Sequence, residues 1–166
     1  SASWKAALDK SLAEVNNLFG KYMADLSCAG EITLTTGDYN AEVSLPDHGN
    51  FKNWGVQIKV KFRENSKLEV LSAQRQSGGE RSVSTIMYLM ALQEIMVSPF
   101  RCVDEINQGL DERNERLVFK RIVANSTRPP RRGDHTSHSG QYWLITPKLL
   151  PNLYDMEEQA VTVHVI

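Results

Sequence analysis

Several things are scarce in this chain, and each scarcity excludes something. Cysteine occurs only at Cys28 and Cys102; two cysteines make no disulfide framework and suit a reducing compartment. No segment is apolar for long enough to span a membrane, and no secretory signal is visible at Ser1. The expectation is therefore an intracellular soluble protein with no membrane partner. Charge of one sign is not in excess: the formal net charge is −1, so any surface for nucleic acid has to be local. A phosphate-cradling loop of the pattern G-x-x-x-x-G-K-[ST] is missing. The only Gly-Lys pair, Gly20-Lys21, has Val15 at the first glycine position and Tyr22 after the lysine. What remains is ordinary globular material, 166 residues, 41% hydrophobic and 23% charged. That is enough for one domain with a real core and too apolar for disorder.

The stretch from Leu71 to Asp111 organises the rest. A polar turn, Gln76-Ser77-Gly78-Gly79-Glu80-Arg81, leads into an apolar run from Val83 to Val97. Ser77 followed three residues later by Glu80 fits a capping box, the signal that opens a helix. Two glycines at that opening leave backbone N–H groups uncovered, free to approach an anion closely. Pro99 stops the helix, and the apolar segment Phe100-Arg101-Cys102-Val103 then ends in the acidic pair Asp104-Glu105. A strand with that ending places two carboxylates at its C-terminal end, where open α/β sheets put their ligands.

Ser77-Gly78-Gly79-Glu80 resembles the signature motif of ABC-type ATPase heads. Phe100 to Glu105 resembles a Walker B strand with its catalytic glutamate, and Asn107-Gln108-Gly109-Leu110-Asp111 a D-loop. Within that superfamily three stretches are similar to SMC proteins (structural maintenance of chromosomes), in the subunit-five branch of the SMC five/six complex. They are Gln76 to Thr85, Asp104 to Gly109, and Ile145-Thr146-Pro147-Lys148-Leu149-Leu150-Pro151. The resemblance runs from about Cys28 to the C-terminus.

Around that centre the chain reads in order. Trp4, Leu8, Leu12, Val15, Phe19, Tyr22 and Leu26 recur at helical spacing. This is a helix packed on its own domain, the root of a long coiled-coil arm, or both. Ile32 and Leu34, then Val56, Ile58, Val60 and Phe62, alternate with polar residues as half-buried strands do, with turns at Gly37-Asp38 and at Pro46 to Asn50. The second strand sets an apolar core face against a basic one, Lys59, Lys61 and Arg63. That basic face is either solvated or a small phosphate-contacting patch for DNA. The helix after Ser77 is apolar nearly all round and is expected to be buried. Cys102 is expected in the core.

Asp111 is either a helix N-cap or a functional D-loop residue. Asn125 to Gly140, with Pro129-Pro130, Arg128, Arg131 and Arg132, reads as a surface loop. His135 and His138 within it have no cysteine or acidic cluster to complete a metal site. Tyr142 to Thr146 reads as a buried strand closed by Pro147. Val161, Val163 and Val165 mark a terminal strand, with His164 on its face and without chemistry.

The resemblance implies an α/β fold, the C-terminal lobe of an ABC-type P-loop NTPase head. It carries an antiparallel β segment and is entered by a coiled-coil-root helix: residues 1–27 end the arm and residues 28–166 form the lobe. It implies ATP and Mg²⁺ as cofactors, with Asp104 on the metal and Glu105 polarising the attacking water. Ser77, Gly78 and Gly79 would meet, in trans, the nucleotide held by an opposite subunit, and Asp111 would serve the D-loop. Pro147 stands where most ABC ATPases place a histidine on the γ-phosphate, so that contact is not expected here. The phosphate cradle would come from the N-terminal lobe of the same subunit, so the chain alone is not expected to hydrolyse ATP. The other implied partners are an SMC subunit of the subunit-six type, non-SMC subunits and DNA, in the nucleus and on chromosomes. The implied role is ATP-driven head engagement coupled to DNA entrapment in chromosome maintenance, DNA repair and recombination. Two alternatives stand beside it. One is a scaffold or DNA-clamp module whose nucleotide motifs gate assembly rather than turnover; the other is the head of a different ABC-type DNA repair ATPase.

Overall fold

A computed structural model describes residues 2–35, 54–96, 98–127, 141–148, 151 and 154–165. The turns at 37–38 and 46–50, the double proline and arginines of 128–132, and His135 and His138 lie outside the described residues. The chain divides into two compact bodies, Ser1–Gln76 and Ser77–Ile166.

In the first body, α1 (Ala2–Asp25) packs on an antiparallel sheet of β1 (Ala29–Thr35), β2 (Gly55–Lys61) and β3 (Glu69–Val70), in that order. The helical stripe is buried from Val15 onward, through Phe19, Tyr22, Met23 and Leu26, whereas Trp4 stays exposed. The approach to the sheet is close: a Cβ on Gly30 would stand 2.5 Å from the Phe19 ring, so only glycine fits there. The Asn16 side chain accepts from the Ile32 N–H at 2.7 Å, binding helix to strand. Pairing runs from Ala29↔Lys61 to Thr35↔Gly55, which keeps Ile32 opposite Ile58 and Leu34 opposite Val56. The expected core face of β2 is thinner than its sequence implies. Val60 is buried and Val56 is largely exposed, and the strand ends at Lys61, before Phe62 and Arg63.

The second body joins α2 (Gly78–Ile95), β4 (Phe100–Asp104), α3 (Glu112–Ser126) and β5 (Gln141–Ile145), with a short 3₁₀ turn at Tyr154–Glu157. β4 and β5 pair in parallel from Phe100↔Gln141 to Asp104↔Ile145, and α3 lies between them in the chain, as in a β–α–β unit. Both strands therefore bring their C-terminal ends to the same edge. Arg101 holds the other end of α2, its guanidinium donating to the carbonyls of Gln93 at 2.8 Å and Met96 at 3.0 Å. This satisfies carbonyls that a helix C-terminus leaves unpaired. Nearby, the Tyr142 hydroxyl donates to Gln93 Oε1 at 3.3 Å, and burial pushes its pKa up to about 12.

Four expectations are corrected in this body. The two strands are not buried on both faces: Phe100 is 60% and Trp143 51% exposed, on one uncovered face that also carries Cys102 and Ile145. Cys102 is therefore a surface residue and not a core one, because alternation along β4 puts it on that face. α2 buries Val83, Ser84, Ile86, Met87, Met90 and Ala91, which share one side of the helix, but Leu89, off that side, is 46% exposed. Residues 161–165 form no strand among the described residues. A turn bond from the Val161 N–H to the Glu158 carbonyl starts that segment, and Val165 is 92% exposed, whereas a strand is stable only when paired and packed.

Candidate functional site

Gly78, Gly79, Asp104 and Glu105 line one open groove of about 590 Å³, whereas Ser77 and Asp111 are not part of its lining. The N-terminal turns of α2 (Gly78, Gly79, Ser82, Thr85) form one wall, and Asp104, Glu105, Gln108 and Gly109 form the other. Its floor is apolar, from Ile86, Leu89, Met90 and Val103.

The α2 wall begins with a complete capping box. The Glu80 N–H donates to Ser77 Oγ at 3.2 Å, and the Ser77 N–H donates to Glu80 Oε2 at 2.8 Å. Each group satisfies a donor that the helix start would leave orphaned. The two glycines beyond it have open space where a side chain would stand. A Cβ on Gly78 would meet nothing within 4 Å, and one on Gly79 would come only to 3.9 Å from the Gly109 carbonyl. The space over Gly78 is thus not needed by the fold. It fits an anion that approaches the helix N-terminus, where backbone donors and dipole are favourable.

The opposite wall is the edge where β4 ends. Asp104 is exposed there, and Glu105, also exposed, turns the chain sharply with φ of 51°. Left-handed backbone is disfavoured for a residue with a Cβ and persists where surroundings enforce it, commonly at functional sites. Here the Glu105 N–H donates to the Ile145 carbonyl at 2.9 Å, and the Gln108 N–H returns to the Glu105 carbonyl at 3.0 Å. Gly109, at φ of 77°, completes the loop in a conformation that suits glycine. Asp111 then caps α3, with Oδ1 accepting from the Asn114 N–H at 3.0 Å and Oδ2 from the Asn114 amide at 2.6 Å. The Asn114 backbone donor, first among several hydrogen bonds, holds its carboxyl below the usual aspartate range.

Three residues missed at the sequence level hold this loop from behind. Asn107 Nδ2 donates to Glu115 Oε1 at 2.8 Å and to the Lys148 carbonyl at 3.3 Å, while Thr146 Oγ1 lies 3.0 Å from Asn107 Oδ1. Glu115 is buried. Its placement was legible: it lies three residues before Val118 and four before Phe119, on the buried stripe of α3. Asn107 and Thr146 carried no such signal.

Asp104 fits a Mg²⁺ ion only if phosphate oxygens and water complete the shell, as is usual for that ion. Among the described residues no group of three or more His, Cys, Asp or Glu could hold a metal. The basic strand lies in the other body and is less uniform than expected. Lys59 Nζ stands 3.7 Å from Glu31, and Arg63 sits beyond the strand in a turn where its carbonyl accepts from the Ser66 N–H at 3.0 Å. Among the described residues no helix is long and apolar enough to cross a membrane.

No protein-family model matches the chain. Among curated proteins it is 42% identical over 150 residues to structural maintenance of chromosomes protein 5 of Arabidopsis thaliana, covering 90% of this chain and 12% of the relative. The protein of that name from Schizosaccharomyces pombe is 44% identical, with the same coverage. The one from Caenorhabditis elegans is 36% identical over 165 residues, 98% of this chain and 14% of its own length. The chain is an SMC homologue. It is similar to the fifth SMC protein over most of its length, and it spans only about an eighth of these relatives.

The fold agrees. A structure from work on ATP-driven dimerization and DNA-stimulated activation of SMC ATPases superposes with a TM-score of 0.61 at 19% identity, over 87% of this chain and 73% of that one. An Smc head bound to the C-winged helix domain of ScpA gives 0.59 at 23% identity, over 87% of this chain and 38% of that one. Over most of its length the chain thus has the mixed α/β fold of SMC ATPase heads.

Proposed function

We propose that this chain is the C-terminal lobe of an SMC ATPase head, with residues 1–27 ending a coiled-coil arm and 28–166 forming the lobe. In this reading the N-terminal lobe of the same subunit supplies the phosphate-cradling loop and covers the apolar groove floor and the bare face of β4 and β5. Ser77, Gly78 and Gly79 face the nucleotide of a partner SMC subunit of the subunit-six type. The two heads engage around ATP, and non-SMC subunits and DNA join them on chromosomes in the nucleus, for DNA entrapment, repair and recombination.

The observation that carries the reading is the left-handed Glu105 beside Asp104 at the C-terminal end of a parallel strand pair. Glu105 accepts a proton from the attacking water and Asp104 holds the metal side at this subunit's own nucleotide, while the α2 N-terminus offers backbone donors to a phosphoryl oxygen of the partner's nucleotide. Bound Mg²⁺ would add charge neutralisation at the phosphates. The D-loop residue Asp111 contributes by fixing the start of α3, since both its carboxylate oxygens are engaged with Asn114.

The test is Glu105→Gln in the full-length protein with its partner head. It should bind ATP, trap the heads engaged, and lose about a hundredfold or more in single-turnover hydrolysis at that site. A normal single-turnover rate contradicts the assignment of Glu105.

A further inference from the structure

Asn107 touches three separate pieces of the second body. Its amide faces the Glu115 carboxylate at 2.8 Å and the Lys148 carbonyl at 3.3 Å, and its oxygen faces the Thr146 hydroxyl at 3.0 Å. The orientation is forced, since a carboxylate and a carbonyl only accept, so the NH₂ must point to them. The oxygen is then left as an acceptor for the Thr146 hydroxyl, whose one proton it shares with the Lys148 carbonyl at 2.8 Å. Glu115 is buried at the first turns of α3, and Thr146 and Lys148 follow the end of β5. One side chain therefore locks the loop after β4 to the two elements that flank it.

The loop needs such a lock. Glu105 sits at φ of 51°, and a non-glycine residue keeps that conformation only where its surroundings over-determine it. Two backbone bonds hold Glu105 directly, to Ile145 and from Gln108. Asn107 lies between the two residues that make the second bond, and its own carbonyl accepts from the Leu110 N–H at 3.2 Å.

We propose that Asn107, anchored by Glu115 and Thr146, is a positioning residue that keeps Glu105 in its left-handed conformation and so aims the carboxylate at the attacking water. The proposal rests on the reading of Glu105 as the general base. In this reading Asn107 acts through the Glu105 backbone. Replacing it by aspartate sets a second carboxyl against the buried Glu115 carboxylate, and above the pH at which the pair shares a proton the two repel and open the lock. Adding Glu115→Gln returns an amide donor to the same pair, with the polarity reversed.

The experiment uses the full-length protein with its partner head. Asn107→Asp should lower kcat about tenfold to a hundredfold with KM for ATP roughly unchanged, the effect of a misaimed group. The double variant Asn107→Asp with Glu115→Gln should recover most of kcat. Independently of turnover and without nucleotide, hydrogen exchange at the Glu105 and Gln108 amides should quicken about tenfold in Asn107→Asp, while the Val118 and Phe119 amides in α3 keep their protection. Wild-type exchange at Glu105 and Gln108 overturns the proposal, as does loss of protection spread equally through α3. If Asn107→Asp fails to fold, Asn107→Ser provides the same readouts. If Glu105→Gln hydrolyses ATP normally, the general-base reading fails by itself, and the exchange data still decide whether Asn107 sets the Glu105 backbone.

Discussion

The Asn107 amide donates to the Glu115 carboxylate at 2.8 Å, joining the loop after β4 to the buried side of α3. A hydrogen bond to a charged acceptor is worth about 1.5–3 kcal/mol. Glu115→Ala should therefore lower unfolding free energy by about that amount in urea titrations, and Glu115→Gln, which keeps an acceptor oxygen, by less than about 1 kcal/mol. Equal losses for the two variants would mean that the carboxylate charge, which both remove, and not an acceptor oxygen as such, is what Glu115 supplies.

Asp111 gives the acid limb a specific contributor. Its carboxyl is held below the ordinary aspartate value, chiefly by the Asn114 N–H. A depressed folded pKa stabilises above the unfolded value, near pH 4, and that contribution is lost as pH falls through the folded value. Asp111→Ala should cost about 1 kcal/mol near neutrality and progressively less in acid. Asp111→Asn should keep most of the cap without the pH dependence. A cost for Asp111→Ala that stays constant down to about pH 2 would contradict this assignment.

The parts of the fold legible in the sequence are those set by short-range chemistry. Ser77 and Glu80 announced the α2 start because the partners of a capping box stand only three positions apart. The α1 stripe and the β1–β2 alternation followed from periodicity. Apolar content misled where it measures surface to be covered and not what covers it. Cys102, Trp143 and Leu89 read as core and stand exposed in this chain. At the site, motif spacing singled out Asp104, Glu105 and the two glycines, which all line the groove. The left-handed backbone of Glu105 has no residue signature, and the bond between Thr146 and Asn107 joins positions 39 apart, beyond any local pattern.

The basic strand face yields a prediction smaller than its sequence suggests. Lys59 already has Glu31 at 3.7 Å, so Lys61 and Arg63 are left as the stronger candidates for binding phosphate. If the full-length protein uses this face on duplex DNA, Lys61→Ala with Arg63→Ala should reduce the slope of log K against log salt by up to about two units, about 0.9 for each phosphate no longer neutralised. Adding Lys59→Ala should change it little further. A wild-type slope in the triple variant leaves the face merely solvated.

The Gly78 position tests the central claim most directly, because stability and function should move in opposite directions there. A methyl group on Gly78 meets nothing within 4 Å, and alanine in a helix is favoured over glycine by roughly 0.5–1 kcal/mol. Gly78→Ala should therefore leave the fold intact and raise the melting temperature slightly. If the α2 N-terminus receives the phosphate of a nucleotide held by the partner head, the same methyl group stands in its path. The measurement is ATP-dependent association of the full-length protein carrying Gly78→Ala with its partner head, alongside the melting temperature. The predicted result is a stabilised protein whose ATP-dependent association is weakened about tenfold or more, about 1.4 kcal/mol. A stabilised protein that associates as tightly as wild type would contradict the account.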